Sequence, residues 1–228
     1  MEAIMGSHCY KKLTFEGNKL TIEGHHTVQE LWDFLTKNKI KPNIEVKEVE
    51  IKNIRRGVEH LGLQVFPKLE KVVFGPGIKR IPFDFFQPEY SYKTPTGEVL
   101  QDTAFKNLKE VVCLDVELIE SYAFWKSGVR KVSIYSPCKI MPNSFRDCRK
   151  LSEINLVDGS YIGKCAFANT AIENVAVPDN CVVSLMAFGG MRTLKAISIA
   201  DSCKVRFPVV ENDRRVEIDY FNKPTKIM

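Results

Sequence analysis

Apolar and polar positions along this chain recur with a period of about 21 residues. Two linked patterns carry the period. The first is apolar-x-x-x-x-Phe, which pairs Ile81 with Phe86, Leu100 with Phe105, Ile119 with Phe124, Ile140 with Phe145, Ile162 with Phe167 and Val183 with Phe188. Ala104, Ala123, Ala166 and Ala187 stand directly before the ring. The second is apolar-x-x-apolar-x-apolar, seen as Leu69/Val72/Phe74, Leu108/Val111/Cys113, Val129/Val132/Ile134, Leu151/Ile154/Leu156, Ile172/Val175/Val177 and Leu194/Ile197/Ile199. The last two apolar positions of each triplet are spaced by one uncharged residue, so each triplet predicts a short strand with two side chains turned inward. One such strand cannot bury its own face. Self-similarity at this period predicts stacked coils that share a continuous core. The chain therefore reads as a mixed, β-rich solenoid with one short parallel strand per repeat. The Phe rings are expected to stack at the back of successive coils, with the small Ala letting the backbone pass close.

The flanks are patterned differently. Leu13 and Phe15, then Leu20 and Ile22, alternate around Glu16-Gly17-Asn18-Lys19, which predicts a β-hairpin. Thr27 with Glu30 forms a capping box ahead of Val28, Leu31, Trp32 and Leu35, so a helix is expected over 28–39. Ile44, Val46, Val49 and Ile51 alternate again, and Val49 is placed on the first solenoid strand. Hairpin and helix together form an N-terminal cap over 1–43, the solenoid runs over 44–204, and a C-terminal cap and tail occupy 205–228 with a last edge strand near Val216 and Ile218. One break interrupts the period: the step from Val72 to Val111 is nearly twice the usual one. The extra stretch, 87–99, contains Pro88, Pro95 and Gly97 and is read as an inserted loop carrying Tyr90 and Tyr92.

Composition changes this picture little. Hydrophobic residues make up 44% and charged ones 27%, with a net charge of +5. No block of Lys or Arg marks a nucleic-acid tail, so nucleic acid is not expected as a partner. No apolar run approaches the length of a membrane span, and no signal-peptide pattern opens the sequence. An intracellular location is expected, with a cell surface or a virion as the alternatives. The seven cysteines include no C-x-x-C pair. Cys138, Cys181 and Cys203 fall in one column of the repeat. Free thiols fit it, and a Cys181–Cys203 bond is the other reading.

The unit from Ile140 through Phe145, Cys148, Leu151, Ile154 and Leu156 resembles the BspA-like, or Treponema-type, leucine-rich repeat, with Cys148 at the family's Cys position. The resemblance extends over about 49–199. It implies a right-handed leucine-rich-repeat solenoid used for protein binding, in a family known from bacterial surfaces, unicellular eukaryotes and large DNA viruses, with no shared catalytic activity. Ordinary leucine-rich repeats place an Asn three residues after the strand. Here Pro137, Gly159 and Asn180 hold that place, so no Asn ladder is expected.

No nucleophile, phosphate-binding or zinc-protease motif is present. His8-Cys9 and His25-His26 are metal-type ligands, but their spacing fits no zinc pattern. The reading is thus a non-catalytic scaffold without cofactor or metal. It would bind a protein partner through the concave parallel sheet, the 87–99 loop, or both. The alternatives are a structural subunit of a larger assembly, such as a capsid-associated protein of a large virus, and an adhesin-type surface protein. The candidate partner-binding positions are the outward strand column Val73, Val112, Ser133, Asn155, Ala176 and Ser198. Beside it runs the column Lys71, Glu110, Lys131, Glu153 and Asn174, and the loop adds Tyr90 and Tyr92. A low-charge stripe beside one of alternating sign suits a protein surface better than a phosphate backbone.

Overall fold

The computed structural model describes residues 11–42, 44–54, 58, 61, 63–83, 85–86, 92–93, 99–100, 104–206, 208–210 and 217–220. Strands Lys12–Glu16 and Lys19–Glu23 form the expected antiparallel hairpin. The helix spans Val28–Lys37 and ends two residues earlier than expected, where Lys39 turns left-handed at φ 58°. Its capping box is present. The Thr27 hydroxyl accepts from the Glu30 N–H at 3.1 Å, and the Thr27 N–H donates to the Glu30 carboxylate at 2.8 Å. That bond, with the Lys11 ammonium 2.9 Å away, holds the Glu30 carboxyl at about 2, below its ordinary range. Leu31 and Leu35 form the buried face of the helix.

Strand Glu48–Lys52 pairs parallel with Lys19–Glu23, Leu20 opposite Val49 and Ile22 opposite Ile51. The second hairpin strand is therefore already a rung of the ladder, one rung before the expected first strand. The helix is the crossover that parallel pairing requires. From there the long strands Lys71–Phe74, Glu110–Cys113, Lys131–Ile134 and Glu153–Ile154 add in parallel order to one sheet of seven strands. A separate sheet holds Asn174–Val177, Ala196–Ile199 and Glu217–Tyr220. The inward residues from Val72 and Phe74 to Ile197 and Ile199 are buried as the alternation predicts, except Ile154 and Leu156, which are only partly buried.

The coils carry a second ladder that the sequence reading lacked. Arg80–Ile81, Leu118–Ile119, Lys139–Ile140, Tyr161–Ile162, Val182–Val183 and Lys204–Val205 pair in parallel into a six-stranded sheet. Each full repeat thus contributes two parallel strands, not one. The inward residue of each rung from Ile81 to Val183 opens an apolar-x-x-x-x-Phe pattern and is fully buried. A strand of two residues has no alternation to read, so the pattern exposed the anchor and hid the ladder.

Behind this ladder the Phe rings stack as expected, with one exception. Phe86, Phe124, Phe145, Phe167 and Phe188 lie nearly parallel, at centroid steps of 4.6, 4.7, 5.3 and 5.6 Å. Phe105 is not in the column. Phe86 stacks directly on Phe124, and Phe105 meets Phe86 edge-on at 81°. Its partner in the pattern, Leu100, pairs instead with Tyr92 in an antiparallel pair of strands, Tyr92–Lys93 and Val99–Leu100. The stretch read as a plain loop therefore holds a small hairpin, and the repeat steps over it.

The residue before each ring also has a role beyond its size. The N–H of Phe86 donates to Ala123 O, that of Phe145 to Ala166 O and that of Phe167 to Ala187 O, all within 2.9 Å. Each ring's backbone is thereby bonded to the residue preceding the next ring. The turn needs left-handed backbone on both sides of the ring. Asn143 and Asp147 flank Phe145 at φ 60°, and Cys165 and Asn169 flank Phe167 at 55° and 59°. Asn and Asp adopt this region more readily than other side chains. Cys148 is fully buried and donates its thiol to Phe124 O at 2.8 Å, which ties one coil to the preceding one. Burial pushes that thiol up to about 12. Cys138, Cys181 and Cys203 are free thiols. Cys203 donates to Pro178 O at 3.0 Å, and Cys181 lies 3.5 Å from Val157 O.

Candidate functional site

The outward positions of the long strands fall into register as the alternation implies. Val73 lies opposite Val112 and Val112 opposite Ser133, while Lys71, Glu110, Lys131 and Glu153 form the neighbouring column. The charges of that column are paired along the ladder. Lys71 reaches Glu110 at 3.2 Å and Lys131 reaches Glu153 at 3.1 Å. At its N-terminal side the low-charge column continues into Glu50 and Thr21, so the neutral stripe is shorter than the whole sheet. Glu50 was legible in the strand around Val49 and Thr21 in the hairpin strand around Leu20, and both were missed.

Asn155 does not belong to an open binding column. Its carboxamide turns back on the preceding strand. The Ile134 N–H donates to Asn155 Oδ1 at 2.7 Å, and Asn155 Nδ2 donates to Ile134 O. Elsewhere the last carbonyl of a long strand accepts from the residue just past the next strand. Leu114 N donates to Phe74 O, Tyr135 N to Cys113 O and Ala200 N to Val177 O. At Ile134 the equivalent donor is Val157, and the Asn155 side chain takes its place. One rung later the equivalent residue is Pro178, which has no N–H to give. Pairing thus ends at Ile154, and no strand pairing joins Glu153–Ile154 to Asn174–Val177.

This seam divides the candidate positions. Lys71, Val73, Glu110, Val112, Lys131, Ser133 and Glu153 share the larger sheet. Asn174, Ala176 and Ser198 lie on the smaller one, with Ala176 opposite Ser198. Val73, Val112, Ser133 and Ser198 are half-buried, whereas Asn155 and Ala176, on either side of the seam, are exposed. Of the loop positions, Tyr92 lies on the small hairpin, away from both ladders in strand pairing, and Tyr90 lies outside the described residues.

Two further positions join the larger sheet. Leu114 and Tyr135 are 40% and 64% exposed and sit one residue beyond their strands, with their N–H groups still bonded to the preceding rung. They continue the outward parity of Val112 and Ser133, so an apolar and aromatic patch borders the ion-paired column. Extending the alternation by one residue would have found them. His26, a candidate ligand by type, is buried with Nε2 3.1 Å from Glu23 O, and His8 and Cys9 lie outside the described residues. Among the described residues no group of His, Cys, Asp and Glu is arranged to hold a metal. No described helix is long and apolar enough to cross a membrane.

Residues 91–195, somewhat less than half of the chain, match the family model of the BspA type leucine rich repeat region in six copies. No curated protein and no solved structure matches the chain. Leucine-rich repeats generally mediate protein–protein interaction and are typically non-enzymatic. Both ladders extend beyond the matched span: the long strands reach from Lys19–Glu23 to Glu217–Tyr220, and the short ones from Arg80–Ile81 to Lys204–Val205. The Phe124 to Phe188 column and the buried Cys148 lie within this span, which is similar to a BspA type leucine rich repeat region.

Proposed function

We propose that the chain is a non-catalytic protein-binding module that engages its partner on the outward face of the larger long-strand sheet. The observation that carries this is the exposed pair Leu114 and Tyr135 beside half-buried Val112 and Ser133, next to a column whose charges are already paired. An apolar and aromatic centre with a polar margin is the usual anatomy of a protein interface, and tyrosine is enriched among residues that dominate binding. On this reading the coils wind as a right-handed solenoid. The hairpin strand Lys12–Glu16, paired antiparallel as the outermost strand of the larger sheet, closes its first end.

The test is capture from native lysate by the wild-type chain beside a Leu114→Arg/Tyr135→Ala variant. Both residues are exposed, so folding should be unaffected and the melting temperature unchanged. A protein retained by the wild type and lost by the variant supports the reading. The same protein retained equally by both would refute this face as the site.

A further inference from the structure

On the turn side of the coils, away from the strand face just described, a cleft of about 420 Å³ is lined by Lys106, Lys126, Ser127, Gly128, Asp147, Arg149 and Lys150. The lengths of the turns shape it. Two residues separate Phe105 from Leu108, four separate Phe124 from Val129 and five separate Phe145 from Leu151. The middle turn is pressed tightly onto the shorter one. A Cβ at Gly128 would lie 2.2 Å from Lys106 O, and the Gly128 N–H donates to Phe105 O at 2.9 Å. Only glycine fits there, and the longer turn brings Arg149 and Lys150 to the same hollow.

The charge in this hollow is not balanced from within. Among the described residues, Lys106, Arg149 and Lys150 make no ion pair, although ion pairs run along the strand face. The one acid in the lining, Asp147, is held by other groups. Asn169 Nδ2 donates to its Oδ1 at 2.9 Å, Trp125 Nε1 to its Oδ2 at 3.3 Å, and Arg146 Nε stands 3.6 Å away. Lys126 Nζ lies 4.0 Å from the centre of the Trp125 ring and is not counted among these three cations.

We propose that this cleft is a second binding site, which takes an acidic peptide segment of a protein partner. Three features select that chemistry. The backbone N–H groups of Lys126, Ser127 and Gly128 are all consumed by carbonyls of Arg146, Phe124 and Phe105, so no nest of free amides is available for a compact phosphate. The cations sit on long side chains spread over several turns, which suits carboxylates strung along a chain, with Arg149 able to take one in bidentate fashion. The charge is local, and Trp125 is already engaged by Lys126, Tyr122 and Asp147, so no free ring waits to stack on a base.

The test is fluorescence anisotropy with a fluorescein-labelled oligo-glutamate peptide at low salt. The wild type is compared with Arg149→Glu/Lys150→Glu and with Lys139→Glu/Lys164→Glu, which makes the same charge change at two other exposed positions. All four residues are exposed, and unchanged melting temperatures would verify folding. Saturable binding by the wild type and the control, weakened about tenfold or more in the cleft variant and falling with salt, is the expected result. Absence of binding by the wild type, or equal weakening in both variants, would overturn the proposal. So would an oligothymidylate that displaces the peptide at lower concentration than unlabelled oligo-glutamate does.

Discussion

Between Glu153 and Val177 the two ladders of the molecule behave differently. The short-strand ladder passes from Tyr161–Ile162 to Val182–Val183 without a change of register, while the long-strand ladder stops at Ile154 and restarts at Asn174. The same coils serve both, so coil length is not the cause. The Phe column spans the seam too, but its steps widen there, from 4.7 Å between Phe124 and Phe145 to 5.3 Å and then 5.6 Å beyond. The back of the stack therefore stays closed while the strand face opens. Apolar burial and the short rungs hold successive coils together, and the long-strand hydrogen bonds are dispensable where side chains replace them. Asn155 supplies that replacement at Ile134, and Pro178 removes the donor that would have restored pairing one rung later.

The largest effect is expected at the closed side. Phe145→Ala removes a fully buried ring stacked between Phe124 and Phe167 and should cost about 3–5 kcal/mol. Chemical denaturation would measure it. A loss below that at Asn155 would show that the column is not what holds the coils.

Asn155→Ala comes next. It strips Ile134 N and O of their partner, for an expected loss of about 1–3 kcal/mol. Amide exchange at Ile134 should accelerate, whereas exchange at Ile162 and Val183 in the short ladder should not. Uniform acceleration would merge the two sides into one cooperative unit.

Pro178→Ala restores an N–H and should change stability by less than about 1 kcal/mol by itself. Combined with Asn155→Ala, it should slow exchange at Ala176 by letting the strands meet across the seam. Unchanged exchange in the double variant would place the cause of the opening elsewhere.

The smallest effect is expected far from the seam. Glu30 is held at about 2, below its ordinary value, by the Thr27 N–H and by Lys11. A depressed carboxyl contributes stability that is complete above its ordinary value of 4.5 and is lost as the pH falls from there through about 2. Helical circular dichroism should decline in that window as the first turn of Val28–Lys37 frays, and Glu30→Gln should remove the pH dependence.

Much of this architecture was legible in the residues. The alternation at Val132 and Ile134 announced a strand, Thr27 with Glu30 announced a helix start, and the recurrence of Phe announced a stack. These signals are local, because inward residues must be apolar and capping residues must offer the right oxygen. The candidate site was legible in part. The register of Val73, Val112 and Ser133 followed from the period, and Leu114 and Tyr135 required only one more step of it.

What only the tertiary structure decided was which backbone met which. Phe105 satisfies the repeat pattern as well as Phe124 does, yet Phe86 reaches across the inserted hairpin to stack on Phe124 and leaves Phe105 edge-on. Asn155 occupies an outward position by parity, yet its carboxamide finds Ile134 and ends a sheet. Ser127-Gly128 is an unremarked dipeptide until the neighbouring turns, each of a different length, close over it. By itself the sequence determined the period, the inward residues and the length of each turn, since burial and capping act on near neighbours. The pairing of coils was decided in three dimensions, because a backbone N–H or C=O is alike in every residue but proline and takes its partner from whatever the fold brings beside it.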